Sequence, residues 1–486
     1  MARNDSGASF VVVANRLPVD RVTDDGGEVG WRRSPGGLVS ALGPVMRKAD
    51  GAWLGWAGTP DEAPAPFEED GMSLVPVPLS ETDIELYYEG FSNSTLWPLY
   101  HDAVAPPVYD RRYWDAYVTV NERFAQAAAD VAAPGAVVWV QDYQLQLVPA
   151  MLRDARPDLR IGFFLHIPFP PGELYLQLPW RREILEGLIG ADVVGFQRPG
   201  AATNFRRLCH RLLGYPYRGH HVDLGSRMVR AEAFPISVDV TELVELARRP
   251  EVQERARAFR RELGDPDWLL LSVDRLDYTK GIGERLHAFS ELFADGLLSP
   301  GEAVLVQIAT PSRERVEQYR RLRDEVELQV GRINGQLGQL GTPIVDYSHS
   351  SYAREDLVAL YLAADVMVVT PVRDGMNLVA KEYVACREDL RGALVLSEFA
   401  GAADELHRAF LVNPHDIDGM KRRIMEALRA EPTERARRMR SMRRRVVEHD
   451  VNAWSADFLA TLDPHYAEQI HITEPDTGRG MRNVKI

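Results

Sequence analysis

Cysteine is nearly absent from this chain. Cys209 and Cys386 are the only two in 486 residues, far apart, with no C-x-x-C and no Cys/His metal spacing. That leaves no footing for a disulfide scaffold or a zinc ribbon, and it suits a reducing cytoplasm. Long apolar runs are missing as well. The run Phe10–Ala14, behind a polar MARNDSGAS start, is too short for a signal segment or a membrane span, and no other stretch approaches that length. Net positive charge is also lacking. The formal balance is −14, which argues against nucleic acid or an anionic membrane as a partner. G-x-S-x-G, a Walker G-K-[ST] and a G-x-G-x-x-G placed between strand and helix are all absent. A hydrolase, an NTPase and a dinucleotide oxidoreductase are each weakened by that. No metal site is expected. The D-x-D strings at 265–267 and 416–418 read as linker and helix cap, and His220-His221 has no third ligand nearby.

What is present is an ordinary globular composition, 45% hydrophobic and 26% charged. The length exceeds what one core usually supports, so two domains are expected. Val-rich runs alternate with helical stretches. Phe10–Ala14, Trp53–Trp56, Ala136–Val140, Ile161–Leu165, Ala191–Phe196 and Arg227–Phe234 read as strands of one half, and Trp268–Val273, Val304–Ala309, Val366–Val369 and Ala393–Leu396 as strands of the other. Helices are expected over Ser34–Lys48, Arg111–Ala133, Val240–Leu263, Leu378–Cys386 and, last, about Trp454–Ile470. The segment Tyr87–Tyr100 is dense in aromatics without a period of two or 3.6. The expected fold class is α/β, with two Rossmann-like, doubly wound domains facing a cleft. The expected division is 1–238 and 239–452, followed by a helix at 453–470 and a tail at 471–486.

The chemistry is expected at strand ends. Arg16, Asp142, His166, Arg275, Lys280, Arg313, Asp374 and Glu398 each stand just past a predicted strand, where open α/β sheets bind ligands. Arg275 and Lys280, before a helix at Gly281, suit a diphosphate. Asp374 and Glu382 flank a helix start, an arrangement suited to a sugar nucleotide, although a capped helix with a surface glutamate has the same spacing. Gly36-Gly37 equally suits a phosphate or a plain turn. Arg16 and Arg313, from opposite halves, could converge on a second anion.

The stretches NRLPV (15–19), GGL (36–38), GWAG (55–58), YYEGFSNSTLWPLYH (87–101), FFLHIPFPP (163–171), SVDRLDYTKGI (272–282) and TPVRDGMNLVAKEYVA (370–385) resemble the trehalose-6-phosphate synthase family over about Phe10 to Tyr466. The resemblance implies a retaining glycosyltransferase of the B architecture, with the helix at 453–470 crossing back to pack on the first domain. It would move glucose from UDP-, ADP- or GDP-glucose to glucose 6-phosphate without a metal or other cofactor. It further implies that Arg275 and Lys280 hold the donor diphosphate with backbone at Gly37 and at Met376, Asn377 and Leu378. Glu382 would bind the ribose, and Asp374 and His166 the donor glucose. Arg16, Tyr88, Trp97 and Arg313 would receive the acceptor, with Trp56 and Asp142 beside it. Family members are often homo-oligomers, so a dimer or tetramer is expected. Many members carry histidines where Gln141 and Gln144 stand, which leaves room for another phosphorylated acceptor such as glycerol 3-phosphate. A silent sugar-phosphate sensor should have lost one of Arg275, Lys280, Asp374 or Glu382, and all are present. With no D-x-D-G-T phosphatase signature, the product is expected to leave still phosphorylated.

Overall fold

The apolar runs assemble into two large sheets in a computed structural model that describes residues 7–23, 29–34, 39, 42–43, 46, 51–62 and 64–465. In the first, parallel strands stand in the order Met228–Ala233, Val193–Phe196, Arg160–Phe164, Ala132–Gln141, Ala8–Arg16, Ala52–Trp56, Met72–Pro76. Short antiparallel strands extend both edges. In the second, Val345–Ser348, Ala303–Thr310, Trp268–Arg275, Val366–Val369, Ala393–Ser397 and Phe410–Val412 are all parallel. The central strands are buried along nearly their whole length, as sheets covered by helices on both faces must be.

Strand order reverses once in each sheet, between Ala8–Arg16 and Ala132–Gln141 in the first and between Trp268–Arg275 and Val366–Val369 in the second. At such a switch point the two flanking connections leave in opposite directions and open a crevice at the carboxyl ends. The second is braced from beneath by Arg285, which is 1% exposed. Its guanidinium bonds Asp274, Gln307 and Thr370, joining two strands to the residue that follows a third.

Local chemistry moved several boundaries. The helix expected over Val240–Leu263 is two, Val240–Arg248 and Pro250–Glu262. Pro250 lacks the N–H a continuous helix needs and forces Arg249 into extended backbone. The aromatic segment is a π-helix over Ile84–Leu96 that passes into the short helix Trp97–Tyr100. Its i→i−5 bonding, as from the Trp97 N–H to Ser92, explains why neither two nor 3.6 fitted its pattern. The final helix, Val451–Leu462, breaks at Asp463, where Pro464 disfavours helical backbone, and the stretch expected to carry it to Ile470 lies outside the described residues from 466 on. That helix lies against the first sheet. Phe458 stacks on Trp139 with centroids 4.4 Å apart, and the Trp454 indole N–H donates to the Phe234 carbonyl at 3.1 Å. Most of the helix expected over Ser34–Lys48, Gly37 included, and positions 466–486 lie outside the described residues.

Candidate active site

The second switch point supplies a carboxylate and cations. Val366–Val369 ends in a turn that puts Asp374 2.6 Å from Lys280 Nζ. Asn377 Nδ2 and the Met376 N–H also donate to Asp374, at 3.2 and 3.3 Å. Burial opposes its ionisation, but Lys280 beside it still holds the Asp374 carboxyl below its ordinary range. Asn377, in left-handed backbone, caps the helix Leu378–Cys386 through Ala380 N–H, so the helix start faces the cleft with its partial positive charge. Glu382 is 8% exposed. Its two oxygens accept from Arg354 at 2.7 Å and Tyr361 at 2.8 Å.

The first switch point carries Arg16 and Asp142. Asp142 stands at φ 72°, ψ 173°, a region nearly reserved to glycine. There its Oδ1 accepts the His166 N–H at 3.0 Å, while its own N–H donates to the Phe164 carbonyl at 2.7 Å. Burial raises the Asp142 carboxyl to about 6, against the pull of Arg275 and Arg313. His166 is pushed down to about 3 by burial, so the ring is neutral. Its Nε2 meets Gln141 Oε1 at 2.9 Å.

Beside the first switch point a cavity of about 570 Å³ is lined by Arg16, Trp56, Tyr88, Asp142 and Gln144, with Pro311 reaching it from the second domain. Arg16 bonds Asp20 at 3.1 Å and lies over the Trp56 ring. Trp97, 3% exposed, does not line this cavity. It is the platform under the cations, with the Arg313 guanidinium 3.8 Å and Arg275 5.1 Å from its ring. Arg313 is clasped by Asp277 at 2.9 Å, by Tyr319, and by Tyr143 of the first domain at 3.2 Å. Although burial would raise the Asp277 carboxyl, Arg313, Arg275 and Lys280 hold it well below the usual range. The domains also meet backbone to backbone, since a Cβ on Gly375 would stand 2.4 Å from the His166 carbonyl oxygen. A second cavity, of about 390 Å³, extends the cleft past Asp374 toward Phe169 and Arg198.

A glycosyltransferase family 20 model matches residues 8–464 of this sequence. The chain belongs to that family. It is 58% identical over 470 residues to the trehalose-6-phosphate synthase of Mycolicibacterium gilvum, covering 94% of this chain and 93% of that one. Identity to the synthase of Mycolicibacterium vanbaalenii is 59% over 471 residues, with 94% and 96% covered. Among solved structures, the UDP-forming α,α-trehalose-phosphate synthase of Burkholderia xenovorans in complex with glucose 6-phosphate superposes with a TM-score of 0.86 at 36% identity, over 93% of this chain and 99% of that one. The Escherichia coli protein bound with UDP-2-fluoro glucose gives 0.85 at 34%, with 93% and 99% covered. This family 20 chain is therefore a glycosyltransferase with two Rossmann-like domains in the B architecture.

The structure gathers Arg16, Trp56, Tyr88 and Asp142 around one cavity and sets Trp97, Arg275 and Arg313 beside it. Lys280 and Asp374 pair across the second switch point, with Glu382 farther along the adjoining helix. Glu398 is exposed past the end of Ala393–Ser397, one strand beyond that switch point, and lines neither cavity. Sequence reasoning passed over Asp277, although it sits between Arg275 and Lys280 in the chain. It also passed over His101, pushed by burial to about 4, with its ring tilted against Trp97 at 4.2 Å. An acid flanked by two cations in a strand-end loop is a readable signal. Arg354 and Tyr361, which hold Glu382, carry none. Among the described residues, no group of three or more His, Cys, Asp or Glu is placed to hold a metal, and no helix is long and apolar enough to cross a membrane.

Proposed function

We propose that this enzyme transfers glucose from a nucleotide diphosphate glucose to glucose 6-phosphate, giving α,α-trehalose 6-phosphate with retention and without a metal. The observation that carries this reading is the cavity joining Arg16, Tyr88 and Asp142, whose Asp142 lies within the electrostatic pull of Arg275 and Arg313 from the second domain. Relatives 58 and 59% identical are named for this activity, and neighbours at 36 and 34% are described with glucose 6-phosphate and with a UDP-glucose analogue. Lys280 has protons to spare beyond the one shared with Asp374, so it and Arg275 neutralise the departing diphosphate together with the helix start at Leu378. Asp374 and neutral His166 orient the donor glucose, and Glu382 takes the ribose. Arg16, over Trp56, receives the acceptor phosphate with Arg313, and Asp142 takes an acceptor hydroxyl. The acceptor attacks from the face the diphosphate leaves, so no covalent nucleophile is required and positioning does the catalysis. A cytoplasmic location, from two buried free thiols, and a homo-oligomeric assembly belong to the same proposal.

The test is a product assay with UDP-, ADP- and GDP-glucose in turn, offered with glucose 6-phosphate or glycerol 3-phosphate in the presence of a chelator. Trehalose 6-phosphate is the expected product, and the best donor names the base. Transfer only to glycerol 3-phosphate would move the assignment to a neighbouring transferase, and a requirement for metal would overturn the metal-free mechanism.

A further inference from the structure

Lys381, next to Glu382 on the helix Leu378–Cys386, is 1% exposed. Its Nζ donates to the Ile236 carbonyl at 2.7 Å and to Glu405 Oε2. Glu405 Oε1 in turn lies 3.2 Å from the Arg445 guanidinium. Ile236 belongs to the stretch 234–239, where the chain passes from the last strand of the first sheet to the helix Val240–Arg248. Arg445 is in the last turn of the helix Pro432–Glu448, just before the chain returns to the first domain at Val451. The two crossings touch, because the Val451 N–H donates to the Val238 carbonyl at 3.1 Å. One ammonium therefore ties the helix that faces the cleft to both places where the chain changes domain.

An ion pair this deep is costly in desolvation, and apolar residues of the same volume often do as well or better. Simple filling of space does not call for it, whereas a fixed geometry does. The same end of the helix is held at the cleft as well, since Gly375, just before its cap, abuts the His166 carbonyl, and Lys381 is only the fourth residue of the helix. Its first turn is therefore fixed both to the cleft and to the crossings.

We propose that Lys381 is a positioning residue that couples occupation of the donor side of the cleft to the relative placement of the two domains, through its bonds to Ile236 and Glu405. The proposal rests on the reading above that the start of this helix takes the donor diphosphate. A nucleotide drawing the helix start toward the first domain moves Lys381, and the linker carbonyl moves with it.

Two measurements test the coupling. In the wild-type protein, hydrogen exchange of amides 234–239 is followed with and without UDP, ADP or GDP, and the nucleotide that binds is expected to slow exchange there. Unchanged exchange on a demonstrably saturated protein overturns the coupling. The second uses Lys381→Met combined with Glu405→Gln, which removes both charges so that neither is stranded. This variant is expected to melt near wild type and to keep its KM for glucose 6-phosphate. It should lose about tenfold in kcat/KM for the donor and the ligand-induced change in small-angle scattering. A variant with wild-type donor kinetics and scattering makes Lys381 structural only. Failure of every nucleotide to bind the wild-type protein, seen by calorimetry, would instead remove the donor reading and the coupling with it.

Discussion

Asp142 combines backbone strain with a displaced carboxyl at one residue. Its φ of 72° and ψ of 173° cost about 1–3 kcal/mol in a residue with a Cβ, and burial lifts its pKa from 3.8 to about 6. A folded-state pKa above the unfolded one contributes stability that is full below 3.8 and lost as pH rises through about 6. Asp142→Asn should accordingly melt higher than wild type at pH 8 and level with it at pH 4, and Asp142→Gly higher again as the strain is released. Both should lose transfer. Equal melting temperatures at pH 8 would show that the carboxylate is not held against its preference. At the other switch point, Arg275→Ala and Lys280→Ala should each lower kcat by roughly 100- to 1000-fold, the usual effect of removing a group that meets developing charge. Turnover near wild type in either variant sinks the leaving-group role.

Elements show which local signals survive folding. Buried strands were legible because Val-rich runs have few other uses, and Val366–Val369 stands where the apolar run ends. The aromatic π-helix was not, since amphipathic periods assume α or β hydrogen bonding, and one extra residue per hydrogen-bonded turn erases them. Nor was the clasp on Arg313. Tyr143 and Tyr319, which bond it, come from different domains, and only tertiary packing brings them to one guanidinium. The turn before Leu378–Cys386 also has a steric requirement no period reveals. With 2.4 Å between a built Cβ and the His166 carbonyl oxygen, Gly375→Ala must hold the cleft apart at that point. It should fold normally by circular dichroism and lose about 100-fold in kcat, the penalty for about 1 Å of misplacement. A wild-type rate would mean that this backbone contact is not part of the working state.

At the scale of the molecule, alternation of strand and helix was enough to give two doubly wound domains, because right-handed crossovers leave few other ways to bury both faces of a parallel sheet. The strand-end residues then fell at two switch points or one strand beyond them, Glu398 on the same outer position as Arg313 and His166. What alternation could not give is how the halves are fastened. An exposed pair, Arg198 with Asp404, bridges them at 2.7 Å through both oxygens. The helix Val451–Leu462 returns across the boundary through aromatic contacts that no local pattern announces.

The indole of Trp97 lies under two guanidiniums and against an imidazole, beside the cavity that Arg16 and Asp142 line. Nearby cations shift indole emission by stabilising one charge distribution of the ring over another, so any ligand that draws Arg275 off the ring alters the light it gives. The molecule thus carries an optical gauge of its own occupancy. Titration with glucose 6-phosphate or a nucleotide should change tryptophan fluorescence in the wild-type protein and change it much less in Trp97→Phe, even though eight other tryptophans remain of the nine in the chain. An identical response from both proteins would assign the signal elsewhere. The expected difference would let binding to each half of the cleft be timed in a stopped-flow cell without a label.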